Sequence, residues 1–243
     1  MDVRIIKSGS SGNCVTIDDR LIIDAGFCPE VVPRGSALLL THAHTDHTKA
    51  LQRFEGIPIY AGRATSEAIA QKWPFLAVNI LECEGDGLPN PTYRLPYDAA
   101  PGDEYFVRPI NVKHDIPCIG FDITHDGERI LYATDFNAFR EEIDVRDYTA
   151  LYLECNNTLT PEDFADLYFT EEKPKDEFHR RKSYHNHCNV GYLRMLFERA
   201  GFSEDNPCDI PLTLLHKSTY YYHAHPEEIV KLCKIANVQN PLL

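Results

Sequence analysis

At 243 residues, 43% hydrophobic and 25% charged, the chain is long enough for one sizeable core of an α/β or sandwich type. A formal net charge of -13 lacks the broad basic footprint with which a protein grips long nucleic acid, yet admits a small anionic substrate, because bound divalent cations reverse the local field. No apolar run can cross a bilayer, no targeting segment precedes the first strand-like residues, and eight scattered cysteines without a C-x-x-C pair read as buried thiols of a cytoplasmic protein.

In chain order, 3–7 reads as a strand and Ser8-Gly9-Ser10-Ser11-Gly12-Asn13 as a tight polar turn. Residues 14–17 and 21–23 form a hairpin over Asp18-Asp19, ending at Asp24-Ala25-Gly26. Asp24 follows three apolar residues, where a carboxylate is costly unless paired; it either caps a turn or orients a metal-bound histidine from behind. Residues 37–40 are a buried strand leading into His42-Ala43-His44-Thr45-Asp46-His47. In extended backbone His42 and His44 face the same way, and Asp46 and His47 can face a second position. Three imidazoles and a carboxylate packed this tightly suit a transition metal. A helix over 48–54, strands at 57–61 and 79–83 and a helix over 65–72 follow. The Pro/Gly-rich segment 84–104 reads as a lid insertion or an idle surface excursion.

The strand at 105–112 delivers His114. Residues 119–124 and 129–134 form a hairpin over Asp126-Gly127 that delivers Asp135, and 149–153 delivers Glu154. Segment 158–182 loses apolar periodicity and carries Lys173, Lys175, Arg180, Arg181 and Lys182, a solvated face or a phosphate-attracting flap. His187 precedes an amphipathic helix over 189–200. The last core strand, 210–215, delivers His216, and a helix over 226–236 ends the pattern. Five strands thus end in a candidate ligand, and polar residues gathered on one rim make a site. Tyr220, Tyr221 and Tyr222 read as packing, a homodimer contact or a stacking platform for a base. The His223-Ala224-His225 repeat, with no carboxylate at ligand spacing, does not read as a metal site, and His125, His179 and His185 read as surface residues.

These elements, in this order, resemble the metallo-β-lactamase fold superfamily: the H-x-H-x-D-H signature at 42–47 after the Asp24-Ala25-Gly26 hairpin, then His114 with Gly120-Phe121, Thr134-Asp135, and His216 in Leu214-Leu215-His216-Lys217-Ser218. The resemblance covers nearly the whole chain and implies a single α/β domain over 1–243, an αββα sandwich of two mixed sheets flanked by helices. It implies that His42, His44 and His114 hold one divalent cation, that Asp46, His47 and His216 hold a second, and that Asp135 bridges them. The cations would be Zn2+, with Mn2+ or Fe2+ as alternatives, about 3.5–4 Å apart and sharing a hydroxide. Leu153-Glu154-Cys155-Asn156 and His187-Cys188-Asn189 resemble elements of ribonuclease Z and related phosphodiesterases, in which the glutamate and histidine pair to protonate the leaving group. The Ser10-Ser11-Gly12-Asn13 turn resembles an exonuclease-like branch. Ala50 departs from the family's usual glycine, and the arm with which ribonuclease Z grips transfer RNA has no counterpart. The implied function is hydrolysis of a small anionic phosphodiester, most closely analogous to the viral cyclic-nucleotide phosphodiesterases of counter-defence (anti-Pycsar). His187, Glu154 and Asp46 would take the catalytic roles. A nuclease, an ester, thioester or lactone hydrolase, and a non-catalytic scaffold are the alternatives.

Overall fold

The structure, a computed structural model, describes residues 1–33, 35–83, 90–96, 102–164 and 177–242, without the side chains of 164, 177 and 178. Strands β1 (Val3–Lys7), β2 (Cys14–Ile17) and β3 (Leu21–Ile23) form an antiparallel meander. The three-residue loop between β2 and β3 puts Asp18 and Asp19 at φ 50° and 54°, left-handed positions in a tight turn closed by Arg20 N donating to Ile17 O (2.9 Å). Then β4 (Ala37–Leu40), β5 (Ile59–Gly62) and β6 (Val78–Leu81) add in parallel, giving a sheet in the order β1 to β6. Between them lie α1 (Thr45–Thr48), a 3-10 turn (Leu51–Phe54) and α2 (Arg63–Lys72).

The second sheet contains β7 (Tyr93–Leu95), β8 (Tyr105–Lys113), β9 (Cys118–His125), β10 (Glu128–Ala133), β11 (Ala138–Phe139), β12 (Ala150–Glu154), β13 (Pro211–Leu215) and β14 (Asn237–Val238). Its order is β11-β8-β9-β10-β12-β13-β14, with β7 beside β8. Helices α3 (Glu177–Asn186), α4 (Val190–Arg199) and α5 (Pro226–Ile235) complete the elements.

Period-two alternation sets the layers. On β4, Leu39 faces the second sheet while Leu38 and Leu40 face the α2 side; on β10, Ile130 and Tyr132 face the first sheet while Leu131 and Ala133 face α4 and α5. The inter-sheet core therefore joins Val15, Ile23 and Leu39 to Val107, Phe121 and Ile123. Ile69 and Trp73 cover the outer face of the first sheet, and Leu193, Phe197, Leu232 and Ile235 that of the second. This is the expected αββα sandwich. Each fully buried aliphatic side chain contributes roughly 1.5–3 kcal/mol.

The expected helix over 48–54 splits into α1, which starts inside the ligand motif, and a 3-10 turn. The cause is backbone competition: Asp46 O accepts from Asn13 N (2.8 Å) and His47 O from Ala25 N (2.8 Å), so neither carbonyl can extend a helix. Ala50 sits at φ -99°, a conformation that needs no glycine. The short strands β7, β11 and β14 and the helix α3 were not expected. Of the two proposed lids, 84–89, 97–101 and 165–176, with Lys173 and Lys175, lie outside the described residues. All eight cysteines are free thiols, and no helix among the described residues is long and apolar enough to cross a membrane.

Candidate metal centre

Strands β3, β4, β10, β12 and β13 bring Asp24, the 42–47 loop, Asp135, Glu154 and His216 to one rim of the sandwich. Three of these exits are left-handed at non-glycine residues: Asp24 (φ 64°), Asp135 (φ 51°) and His216 (φ 49°). Such a conformation persists only where surrounding bonds over-determine it, and it clusters at functional sites.

The ligand-type atoms fall into three overlapping groups, each with all its atoms within 4.8 Å of one another: His42, His44 and His114; Asp46, His47, Asp135 and His216; and Asp135, Glu154, His187 and His216. In the first, His42 Nε2 and His44 Nδ1 lie 3.0 Å apart, and the three ring centroids are 4.7 to 5.3 Å apart. His42 is fully buried. Burial, then the neighbouring His47, holds its pKa well below the usual imidazole value, so it is neutral with a lone pair to give. In the second, His47 Nε2 is 2.9 Å from Asp135 Oδ2 and 3.6 Å from Asp46 Oδ2, while His216 Nε2 is 3.6 Å from Asp135 Oδ1. Asp135 thus touches two imidazoles that face each other across it.

Two observations fit this set to metal ions. The Nε2 atoms of His114 and His216 are buried without a hydrogen-bond partner among the described residues, although Asp115 Oδ1 lies 3.0 Å from His114 Nε2. An orphaned buried nitrogen is costly unless something else takes its lone pair. The other nitrogens are bonded so as to aim those lone pairs inward. His114 Nδ1 meets Asn186 O (2.9 Å) and His47 Nδ1 meets Asp24 Oδ2 (2.7 Å), while His216 Nδ1 lies 3.2 Å from Asn156 Nδ2 and 3.3 Å from Glu154 Oε1. Burial lowers the His47 pKa, but Asp24 and Asp135 outweigh it and push it up to about 10, so a proton holds the place where a cation would compensate those carboxylates.

The third group is arranged differently. Glu154 Oε1 faces both His187 Nδ1 (2.7 Å) and His216 Nδ1 (3.3 Å), and Oε2 accepts from Phe136 N (2.8 Å) and Cys188 N (3.3 Å). With four nitrogen partners the carboxylate has no lone pair to spare for a metal. Burial raises its pKa, yet His187 and His216 outweigh that and hold it ionised. The pair therefore orients an imidazole, with the His187 ring stacked 5.2 Å from His216 at 7°.

Several residues of the site escaped the sequence reading. Asn13 Nδ2 lies 2.9 Å from His47 Nε2 and 3.4 Å from Asp46 Oδ2, with its amide oxygen held by Gly9 N. Ser8 Oγ accepts from His216 N (2.8 Å), and Asn156 Nδ2 donates to His216 O (2.9 Å). Asp24, read as either a turn cap or an orienting carboxylate, contacts His47 Nδ1 and accepts from the distant Thr41 N. His225, by contrast, meets Asp163 (2.9 Å) and belongs to none of the three groups, and Tyr222 is buried with its hydroxyl on Pro241 O while Tyr220 is 84% exposed.

Gly26 makes the ligand loop possible, since a Cβ there would sit 1.4 Å from Asp46 O. Gly26→Ala is expected to cost at least about 1–3 kcal/mol and to weaken metal retention, because the loop carrying Asp46 and His47 must move. Denaturant unfolding and metal content after dialysis check this; wild-type values in both would sink it.

The sequence profile of the Beta-lactamase superfamily domain matches residues 22–172, more than half of the chain. No curated protein matches by sequence. Similar solved structures include YhfI of Bacillus subtilis, a metallo-beta-lactamase fold protein, at 16% identity, covering 99% of this chain and 97% of that one with a TM-score of 0.59. The short form of human tRNase Z is 16% identical over 90% of this chain and 94% of that one, with a TM-score of 0.56. Unliganded yeast PDE1 is 13% identical over 97% and 95%, with a TM-score of 0.60. At these identities the likeness speaks for the fold alone.

Proposed function

The chain belongs to the beta-lactamase superfamily, with a His/Asp cluster able to bind metal ions, and from that premise we propose that it is a metal-dependent phosphodiesterase acting on a small phosphodiester, foremost a cyclic nucleotide. The observation that carries the reading is His187, held by Glu154 beside the ligand cluster. Cleaving a phosphodiester expels an alkoxide, and an alkoxide needs a proton at the moment it leaves.

His42, His44 and His114 would hold one divalent cation, and Asp46, His47 and His216 a second, with Asp135 between them; zinc suits this donor set, with manganese or iron(II) as alternatives. When bound, such a pair supplies positive charge to the phosphoryl oxygens and makes water nucleophilic at neutral pH. The chain's own residues do the rest. Asp24 and Asn186 O hold the ligand rings of His47 and His114 in place. Water gives up a proton to solvent as it attacks phosphorus, the P–O ester bond breaks, and the departing oxygen takes the proton from His187 Nε2. Glu154 stays ionised and stabilises the imidazolium before that transfer. The His187 pKa is lowered by burial but raised beyond that by Glu154, which keeps the ring loaded as an acid.

The test is a substrate panel with zinc- or manganese-loaded protein: 3′,5′-cyclic mononucleotides, bis(p-nitrophenyl) phosphate, single-stranded DNA and RNA, a thioester and a lactone. Turnover of cyclic mononucleotides and the bis-aryl diester is expected. Hydrolysis of the thioester or lactone without any phosphodiester cleavage overturns the reading; activity on single strands alone moves it to a nuclease.

A further inference from the structure

A cavity of about 460 Å³ opens beside the metal centre, with His114 and Asp115 on one side and Arg140 and the first turn of α2 on the others. Thr65 there is only 3% exposed, yet its hydroxyl has no hydrogen-bond partner among the described residues. A hydroxyl that lines a cavity without a protein partner is free to bond whatever enters it. Thr65 stands in the first turn of a ten-residue helix whose N-cap, Gly62, provides no side-chain acceptor, so the leading N–H groups are open to the cavity.

Arg140 faces the same space. Its backbone N donates to Asn111 O (3.0 Å) and its Nε to Val112 O (3.4 Å), which lays this exposed side chain along β8 and leaves both Nη groups uncommitted among the described residues. Among the described residues it has no carboxylate partner, whereas Arg63 on the α2 wall is paired with Glu82. In a chain of net charge -13, a guanidinium and a hydroxyl without partners among the described residues and a helix start without a side-chain cap converge on one cavity that adjoins the candidate metal centre, at the end away from the Asp115 carboxylate. Guanidinium, backbone N–H and hydroxyl donors together match a phosphate better than any neutral group.

We propose that this cavity is a second phosphate subsite, so that the favoured substrate is a phosphodiester carrying a further phosphoryl group. Arg140 and Thr65 would be its specificity-determining residues. The inference rests on the phosphodiesterase reading for turnover but not for binding, and the test separates the two.

The probes are the p-nitrophenyl ester of thymidine 5′-phosphate with and without a 3′-phosphate, which release the same chromophore and differ by one group. In the wild type the 3′-phosphate is expected to raise kcat/KM by roughly 10- to 100-fold, the range of a charge-assisted hydrogen bond. In Arg140→Ala that ratio is expected to fall to within about threefold of one, with Arg140→Lys between, since lysine keeps the charge but not the fork. Thr65→Val, nearly isosteric, is expected to reduce the ratio severalfold. Calorimetry then compares thymidine 3′,5′-bisphosphate with thymidine 5′-phosphate on the zinc-loaded protein. Tighter binding of the bisphosphate that depends on Arg140, with neither ester turned over, keeps the subsite and discards the phosphodiesterase. No advantage of the 3′-phosphate in either binding or turnover, or an advantage that survives in Arg140→Ala, overturns the subsite.

Discussion

Asp135→Ala is expected to strip the protein of its metal ions and to lower phosphodiester turnover by about 10³-fold or more. One carboxylate stands between the two halves of the centre: Oδ2 lies 2.9 Å from His47 Nε2, and Oδ1 lies 3.6 Å from both His216 Nε2 and His187 Nδ1. Burial raises its pKa, but His216 and His47 outweigh that and hold it well below the usual carboxylate range, so it is a fixed anion among imidazoles. Alanine removes the one anion that, among the described residues, contacts all three imidazoles, and leaves Asp24, Asp46 and Glu154 to touch one or two of them each. A cation pair contributes several kcal/mol at the transition state, and each 1.36 kcal/mol is tenfold, which sets the size of the loss. Asp135→Asn is the sharper control, since it keeps the shape and removes only the charge. Metal content by elemental analysis and turnover of bis(p-nitrophenyl) phosphate are the readouts. Retention of two ions per chain with activity within tenfold of wild type would refute the bridging role.

The same geometry explains what the sequence could and could not disclose. His42, Asp135, Glu154 and His216 were legible because each follows an apolar run on a strand with a parallel neighbour, which exits on the same rim, whereas His114 ends β8, whose neighbours are antiparallel. The His187–Glu154 pair was legible only through resemblance, since nothing local in a histidine before a helix says that a glutamate 33 positions away will meet it. Asn13 and Asn156 had no pattern at all: a loop asparagine reads the same whether it holds a ligand or faces water. Helix α3 is the clearest case. Its sequence has no apolar stripe, and it docks instead by polar bonds from its last turn. Ser183 O accepts from Asn157 Nδ2 (3.1 Å), Tyr184 O from Asn137 Nδ2 (3.2 Å), and Asn186 O faces His114 Nδ1 (2.9 Å). Helix ends leave such carbonyls unpaired, so the metal rim itself caps α3, a tertiary fact that no periodicity foretells.

His187→Ala is expected to lower turnover by roughly 10²- to 10⁴-fold for a diester with an alkyl leaving group, the usual contribution of general acid catalysis, and only severalfold for a nitrophenyl diester. The asymmetry follows from the proposed role. A nitrophenolate departs without help, whereas a ribose alkoxide does not, so a true acid discriminates between them and a merely structural residue damages both alike. Glu154→Gln should follow the same order with a smaller effect, because the amide can still bond His187 Nδ1 but no longer favours its imidazolium. It also loses the anion that accepts from Phe136 N and Cys188 N, so unfolding by denaturant has to accompany the kinetics. His216 shares Glu154 Oε1 with His187, which predicts partial loss of the second cation in Glu154→Gln and none in His187→Ala. Equal losses on both leaving groups, with metal content unchanged in both variants, would show that His187 packs against the centre without donating a proton.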